Sequence, residues 1–189
     1  MDSWATPPGY LLILPKLRIL LLGSYHKKRG LPKLERLKDY LIQNDMNNCR
    51  VVKDFVSPPK MDDEPEDRYN LRKSRYWMRH ADILIFVLFP DVDNASVGVE
   101  LQYAVDKILG VTWRIILAYP QEHPPSLISG LGKEIEEFSV VEFSNEKELH
   151  EQVYGCIINL LHRFYDDVSN RTAGEWEYSS TSTDTTNTI

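Results

Sequence analysis

Residues 81–104 read ADILIFVLFPDVDNASVGVELQYA, and the order of residue types in this stretch decides the fold. Ile83 to Phe89 (ILIFVLF) is the most apolar run in the chain and is closed by Pro90. A short apolar run without alternation predicts a strand covered on both faces, as at the centre of a parallel sheet. A polar loop, Pro90 to Glu100 (PDVDNASVGVE), then hands over to a helix expected over residues 97–109.

The same strand-to-helix handover repeats outward in both directions. Leu17 to Leu22 (LRILLL) is a second buried strand that stops at Gly23. After it, Pro32 suits a first helical turn, and Leu34, Leu37 and Leu41 recur at helical spacing until Asn44. Val51 to Val56 reads as the next strand, and the Pro- and acid-rich stretch Ser57 to Asp67 as a loop. A helix from Glu66 to His80 places Leu71, Ser74 and Met78 on one inward face. Downstream, Trp113 to Tyr119 and Ser139 to Phe143 complete five strands. Asn145 then caps a long helix with Leu149, Val153, Ile157, Leu160 and Leu161 on its core stripe, fading after Tyr165.

Strands alternating with helices imply right-handed crossovers and helices on both faces of a parallel sheet. The fold class is therefore α/β, a flavodoxin/Rossmann-like three-layer sandwich with a five-stranded parallel sheet in the order 2-1-3-4-5. The expected domain spans residues 17–168. Residues 1–16 are read as an N-terminal tail, and 169–189 as a disordered polar tail too poor in apolar residues to offset its ordering entropy. In this strand order the connections diverge between strands one and three, which opens a ligand crevice at their carboxyl ends. The loops expected to line it are Gly23 to Gly30 (GSYHKKRG) and Pro90 to Glu100.

Composition narrows the partners. With 42% hydrophobic and 26% charged residues, the 189-residue chain has ordinary globular composition. A net charge of −6 and a pI near 5.4 lack the basic footprint of a general nucleic-acid binder, so a small molecule is the expected partner. The apolar stretch Tyr10 to Leu22 is interrupted by Pro15, Lys16 and Arg18 and is too broken to span a membrane. Cys49 and Cys156 share no motif, which predicts a reducing, cytoplasmic setting. Neither a metal-ligand cluster nor a Gly-rich dinucleotide fingerprint is seen, so no metal or cofactor is expected.

The two loops carry the candidate site. In the second, Asp91, Asp93, Asn94 and Ser96 precede Gly98, which lets backbone approach a ligand, and Glu100, expected in the first turn of its helix at the floor of a nucleotide-sized cleft. Glu100 reads equally as a helix-dipole partner worth about 0.3–1 kcal/mol. Spacing alone does not choose between the two roles. In the first loop, Lys27, Lys28 and Arg29 can clamp a phosphate or form a solvated charge run, and His26 reads as an ordinary exposed histidine.

Residues 81–104 also resemble the nucleoside 2-deoxyribosyltransferase family and its relative, the 2′-deoxynucleoside 5′-phosphate N-hydrolase. An Asp before a hydrophobic strand, a polar loop and G-x-E-L-x-x-A occur in the family order without a gap. Leu20 to Tyr25 (LLLGSY) is similar to the opening of the family, with Gly23, Ser24 and Tyr25 as substrate contacts, and Arg114 to Ser129 to its fourth strand and following loop. The resemblance covers roughly residues 17–130 and implies N-glycosidic bond cleavage or exchange with Glu100 as nucleophile. A carboxylate suits that chemistry, because it stabilises positive charge on the sugar and can form a glycosyl ester.

The family pattern is not complete. Its acid on the helix before the third strand falls at Ser74, and the transferase acid six residues before the nucleophile falls at Asn94, where the N-hydrolase branch has a polar uncharged residue. Asp91 or Asp93 is then the candidate to protonate the departing base. Ser126 lies where the N-hydrolase contributes a phosphate contact from a neighbouring subunit, which implies a homodimer. Two other readings stand beside this one: a catalytically silent nucleotide-binding or sensing module, and an NAD glycohydrolase of the TIR type, which also uses a Glu in a flavodoxin-like frame.

Overall fold

The computed structural model describes residues 8–108, 110, 112–122, 124 and 137–168. Five parallel strands form one sheet in the order β2-β1-β3-β4-β5: β1 Ile19–Gly23, β2 Cys49–Val51, β3 Ile83–Val87, β4 Ile115–Pro120 and β5 Ser139–Phe143. The helices are α1 Pro8–Leu11, α2 Gly30–Gln43, α3 Glu66–Met78, α4 Ala95–Lys107 and α5 Glu146–Val168. The expected fold class and strand order are those observed.

Alternation along the fully buried strands divides the core in two. Ile19 and Leu21 of β1, Ile83, Ile85 and Val87 of β3, and Ile116 and Ala118 of β4 face α2 and α5. Leu20 and Leu22, Leu84 and Phe86, and Ile115 and Leu117 face α3 and α4. Register pairs Ile19 with Ile83 and Gly23 with Val87, so β1 and β3 end level with each other. At the opposite end Asp82 fixes that register, accepting the Arg18 amide at 2.9 Å and pairing with its guanidinium at 3.1 Å. The Asp that precedes the apolar strand therefore has a structural role remote from the crevice.

Local differences from the expected boundaries have identifiable causes. The second strand is expected at 51–56 but occupies Cys49–Val51, followed by a 3₁₀ turn at Val52–Asp54. The Asp54 carboxylate accepts the Val51 amide at 3.0 Å and pairs with Lys38, and the Tyr25 hydroxyl accepts the Val52 amide at 3.2 Å, so both donors leave the ladder. The N-terminal boundary also moves. Ile13 and Leu14 are buried in the core shared with α5, and Gly9 lies against the Tyr165 ring, so ordered structure begins before residue 17. Helix α5 runs three residues beyond Tyr165, to Val168. The expected polar tail at 169–189 and Ser126 lie outside the described residues. Among the described residues, no helix is long and apolar enough to cross a membrane, and no group of three or more His, Cys, Asp or Glu is placed to hold a metal ion.

Candidate functional site

The level ends of β1 and β3 bring the two candidate loops together. The first loop closes on the His26 carbonyl, which accepts the amides of Arg29, Gly30 and Leu31 at 3.1–3.2 Å. This turn brings Gly30 so close to Ser24 that a Cβ at Gly30 would stand 2.1 Å from the Ser24 carbonyl oxygen. Gly23 is similarly confined, with the Val87 carbonyl 3.0 Å from where a Cβ would lie. Ser24 is buried, whereas His26, Lys27, Lys28 and Arg29 are exposed. Lys27 and Lys28 form no ion pair with any described residue, but Arg29 donates to the Asp91 carbonyl at 3.1 Å.

In the second loop the three candidates before Glu100 are held by structural contacts. Asp91 pairs with Lys33 of α2 at 2.9 Å, and that hydrogen bond holds its carboxyl below the usual carboxylate range. Asp93 accepts the Ala95 amide at 2.8 Å, which satisfies a donor at the start of α4. Asn94 staples the loop: its Oδ1 accepts the Phe89 amide at 3.2 Å while its Nδ2 donates to the carbonyls of Phe89 at 2.8 Å and Val92 at 3.2 Å. Ser96 is exposed in the first turn, and the Gly98 amide donates to the Asn94 carbonyl at 3.1 Å.

Because the Asp93 and Asn94 contacts start α4 at Ala95, Glu100 sits in the second turn rather than the first. The dipole term fades past the first turn, so it does not account for a carboxyl at this place. Glu100 is only 6% exposed. Burial pushes its pKa up to about 7, against the lowering effects of the Ser74 hydroxyl and the Arg75 guanidinium. Ser74, buried on α3, donates to the Leu71 carbonyl at 3.0 Å, which orients its oxygen. The electrostatic reach of Glu100 extends to Tyr25 at the end of β1. Burial first, then the Glu100 charge, keeps that phenol protonated far above its ordinary range. The Tyr25 hydroxyl donates to the Leu21 carbonyl at 3.3 Å and accepts from Val52, so the ring is anchored where β1 and β2 diverge.

The structure thus gathers Glu100, Ser74 and Tyr25, together with Arg75, which the pattern of inward apolar positions passes over. Arg75 follows Ser74 directly, and its charge is the signal a search for apolar spacing ignores. Asp91 and Asp93 stand on the loop before the carboxyl, tied to other partners. A cavity of about 690 Å³ opens on the outer faces of α3 and α4 and is lined by Arg75 and Tyr103, but not by Glu100. This cavity is therefore not the nucleotide-sized space expected directly above Glu100.

What this arrangement can do follows from its contents. A carboxyl with a pKa near neutrality, in a dry setting beside a phenol, a hydroxyl and a guanidinium, can exist as base or nucleophile in one half of its population and as acid in the other. Compared with models of known protein families and with curated proteins, the chain matches none.

Proposed function

We propose that the chain cleaves or exchanges an N-glycosidic bond of a nucleoside or nucleotide, with Glu100 as the nucleophile. The observation that carries this reading is the near-complete burial of the Glu100 carboxyl in α4, within electrostatic reach of Tyr25 of the β1 loop and Ser74 of α3, with its pKa raised to about 7. A carboxylate freed from water is a stronger partner for the positive charge that spreads over a sugar as its glycosidic bond breaks. In the first step a Glu100 oxygen bonds to the anomeric carbon, the bond to the base nitrogen breaks, and its electron pair leaves with the base. In the second, water or another base displaces Glu100 and restores the carboxylate. The resemblance of residues 81–104 to the deoxyribosyltransferase family supports the same assignment.

A second reading, a nucleotide-binding module without turnover, is favoured by the proton inventory. The departing base needs a proton. Asp91 is held ionised by Lys33, Asp93 caps α4, and Asn94 does not titrate, so none of the three stands ready as a donor.

A mass-spectrometric screen separates the two readings. The protein is incubated with deoxynucleotides, ribonucleotides and NAD. The expected outcome is release of free base, reduced at least about 10³-fold in Glu100→Ala. Nicotinamide released from NAD alone points to the TIR-type activity. A ligand-induced rise in melting temperature with no base released assigns the silent module, since binding to the folded state stabilises it by mass action.

A further inference from the structure

Helix α3 carries Arg68, Arg72, Arg75 and Arg79 at spacings of four, three and four, one stripe along its length and just past its end. All four line the 690 Å³ cavity, where the only acid is Glu64. That acid is engaged, with Arg72 donating to it through two nitrogens at 2.9 and 2.7 Å. Arg68, Arg75 and Arg79 form no ion pair at salt-bridge distance with any described residue. Arg75 and Arg79 instead stack on the Tyr103 ring at 4.6 and 5.6 Å, and the buried Arg75 Nε has no hydrogen-bond partner. Like charges one turn apart repel, so this stripe opposes its own helix in a chain whose net charge is −6. A bound anion removes that repulsion.

We infer that the groove over α3 and α4 binds an oligophosphate, with Arg68, Arg75 and Arg79 as its ligands. The volume is that of a small-molecule site, and the net charge of −6 on the chain disfavours an extended polyanion such as a nucleic acid. A single phosphate is too short, because Arg68 and Arg79 are separated by about 16 Å along the helix axis. Planar guanidinium forks match phosphoryl oxygens in pairs, whereas lysines would supply only point charges. Glu100 does not line the site, and Arg75, whose charge also acts on Glu100, is the residue the two share.

Calorimetric titration of the full chain with inorganic tripolyphosphate, ATP and adenosine tests the inference. Tripolyphosphate and ATP are expected to bind more tightly than about 1 mM, with affinity falling as salt rises, whereas adenosine, which lacks phosphate and can engage only the glycosidic centre, is expected to show no such salt dependence. Tighter binding of ATP assigns a nucleotide and equal binding a free phosphate chain, and both support the site. Arg68→Gln with Arg79→Gln, exposed positions whose folding is checked by thermal melting, is expected to weaken binding at least about tenfold, while Glu100→Gln leaves it unchanged. No binding of tripolyphosphate, binding unaffected by the arginine pair, or binding lost in Glu100→Gln would overturn the inference. Failure of base release in the substrate screen leaves these outcomes readable.

Discussion

The two faces of the sheet are built to different rules. The face under α2 and α5 is mainly apolar: Leu34, Leu37 and Leu41 share one core with Leu149, Val153, Ile157 and Leu161 and with strand residues such as Ile19, Leu21, Ile83, Ile85 and Val87. The face under α3 and α4 buries Lys73, Ser74 and Glu100 within the same short helices that supply Trp77, Met78 and Leu101. Burying a titratable group costs stability unless something compensates; α3 and α4 bury Lys73 and Glu100, whereas on α5 His150 and Cys156 are only partly buried. The larger apolar core lies on one side of the sheet and the candidate site on the other.

That contrast breaks most readily on the apolar side. Leu37→Ala is expected to destabilise by about 3 kcal/mol in denaturant unfolding, through lost transfer energy and the cavity left behind. If it costs less than Ser74→Ala, the division of labour is wrong.

The next effect in size is pH dependence. In the unfolded chain Glu100 loses its proton near 4.5, whereas the folded protein holds it to about 7. Between those values the folded state binds more protons, so this group's contribution is complete below about pH 4.5 and is lost as pH rises through 7. The full swing is about 3 kcal/mol. His150, whose burial holds its imidazole below 6.5, acts in the opposite sense, and the difference between wild type and Glu100→Gln cancels it. Melting curves from pH 4 to 8 should therefore show a negative slope in wild type relative to the variant. The smallest effect is expected for Ser74→Ala. Loss of the hydroxyl that lowers Glu100 moves its titration further upward, readable by carboxyl NMR, at a stability cost of about 1 kcal/mol.

The same asymmetry explains what the sequence disclosed. Strands buried on both faces write themselves as unbroken apolar runs, so LRILLL and ILIFVLF were legible with their order, and so were the loops that follow them. Features created by partners distant in the chain were not. The end of β2 depends on the Tyr25 hydroxyl, 27 residues earlier, and the pairing of Asp91 depends on Lys33, 58 residues earlier. Glu100 was legible as a residue of the site, but its second-turn position hung on which side chain caps α4. The arginine stripe was present in the spacing all along. Apolar periodicity marks the core face of a helix, and a charged period on the outer face of the same helix carries no information about the core.

Among the contacts across the crevice, the one between Lys33 and Asp91 has a further consequence. Both partners are solvent-accessible, 28% and 45% exposed, and they stand with Arg29 across the mouth between the two loops. An exposed pair of this kind is worth at most about 1 kcal/mol and is screened by salt. The tie between α2 and the loop before α4 is consequently a weak ionic clasp that added electrolyte loosens.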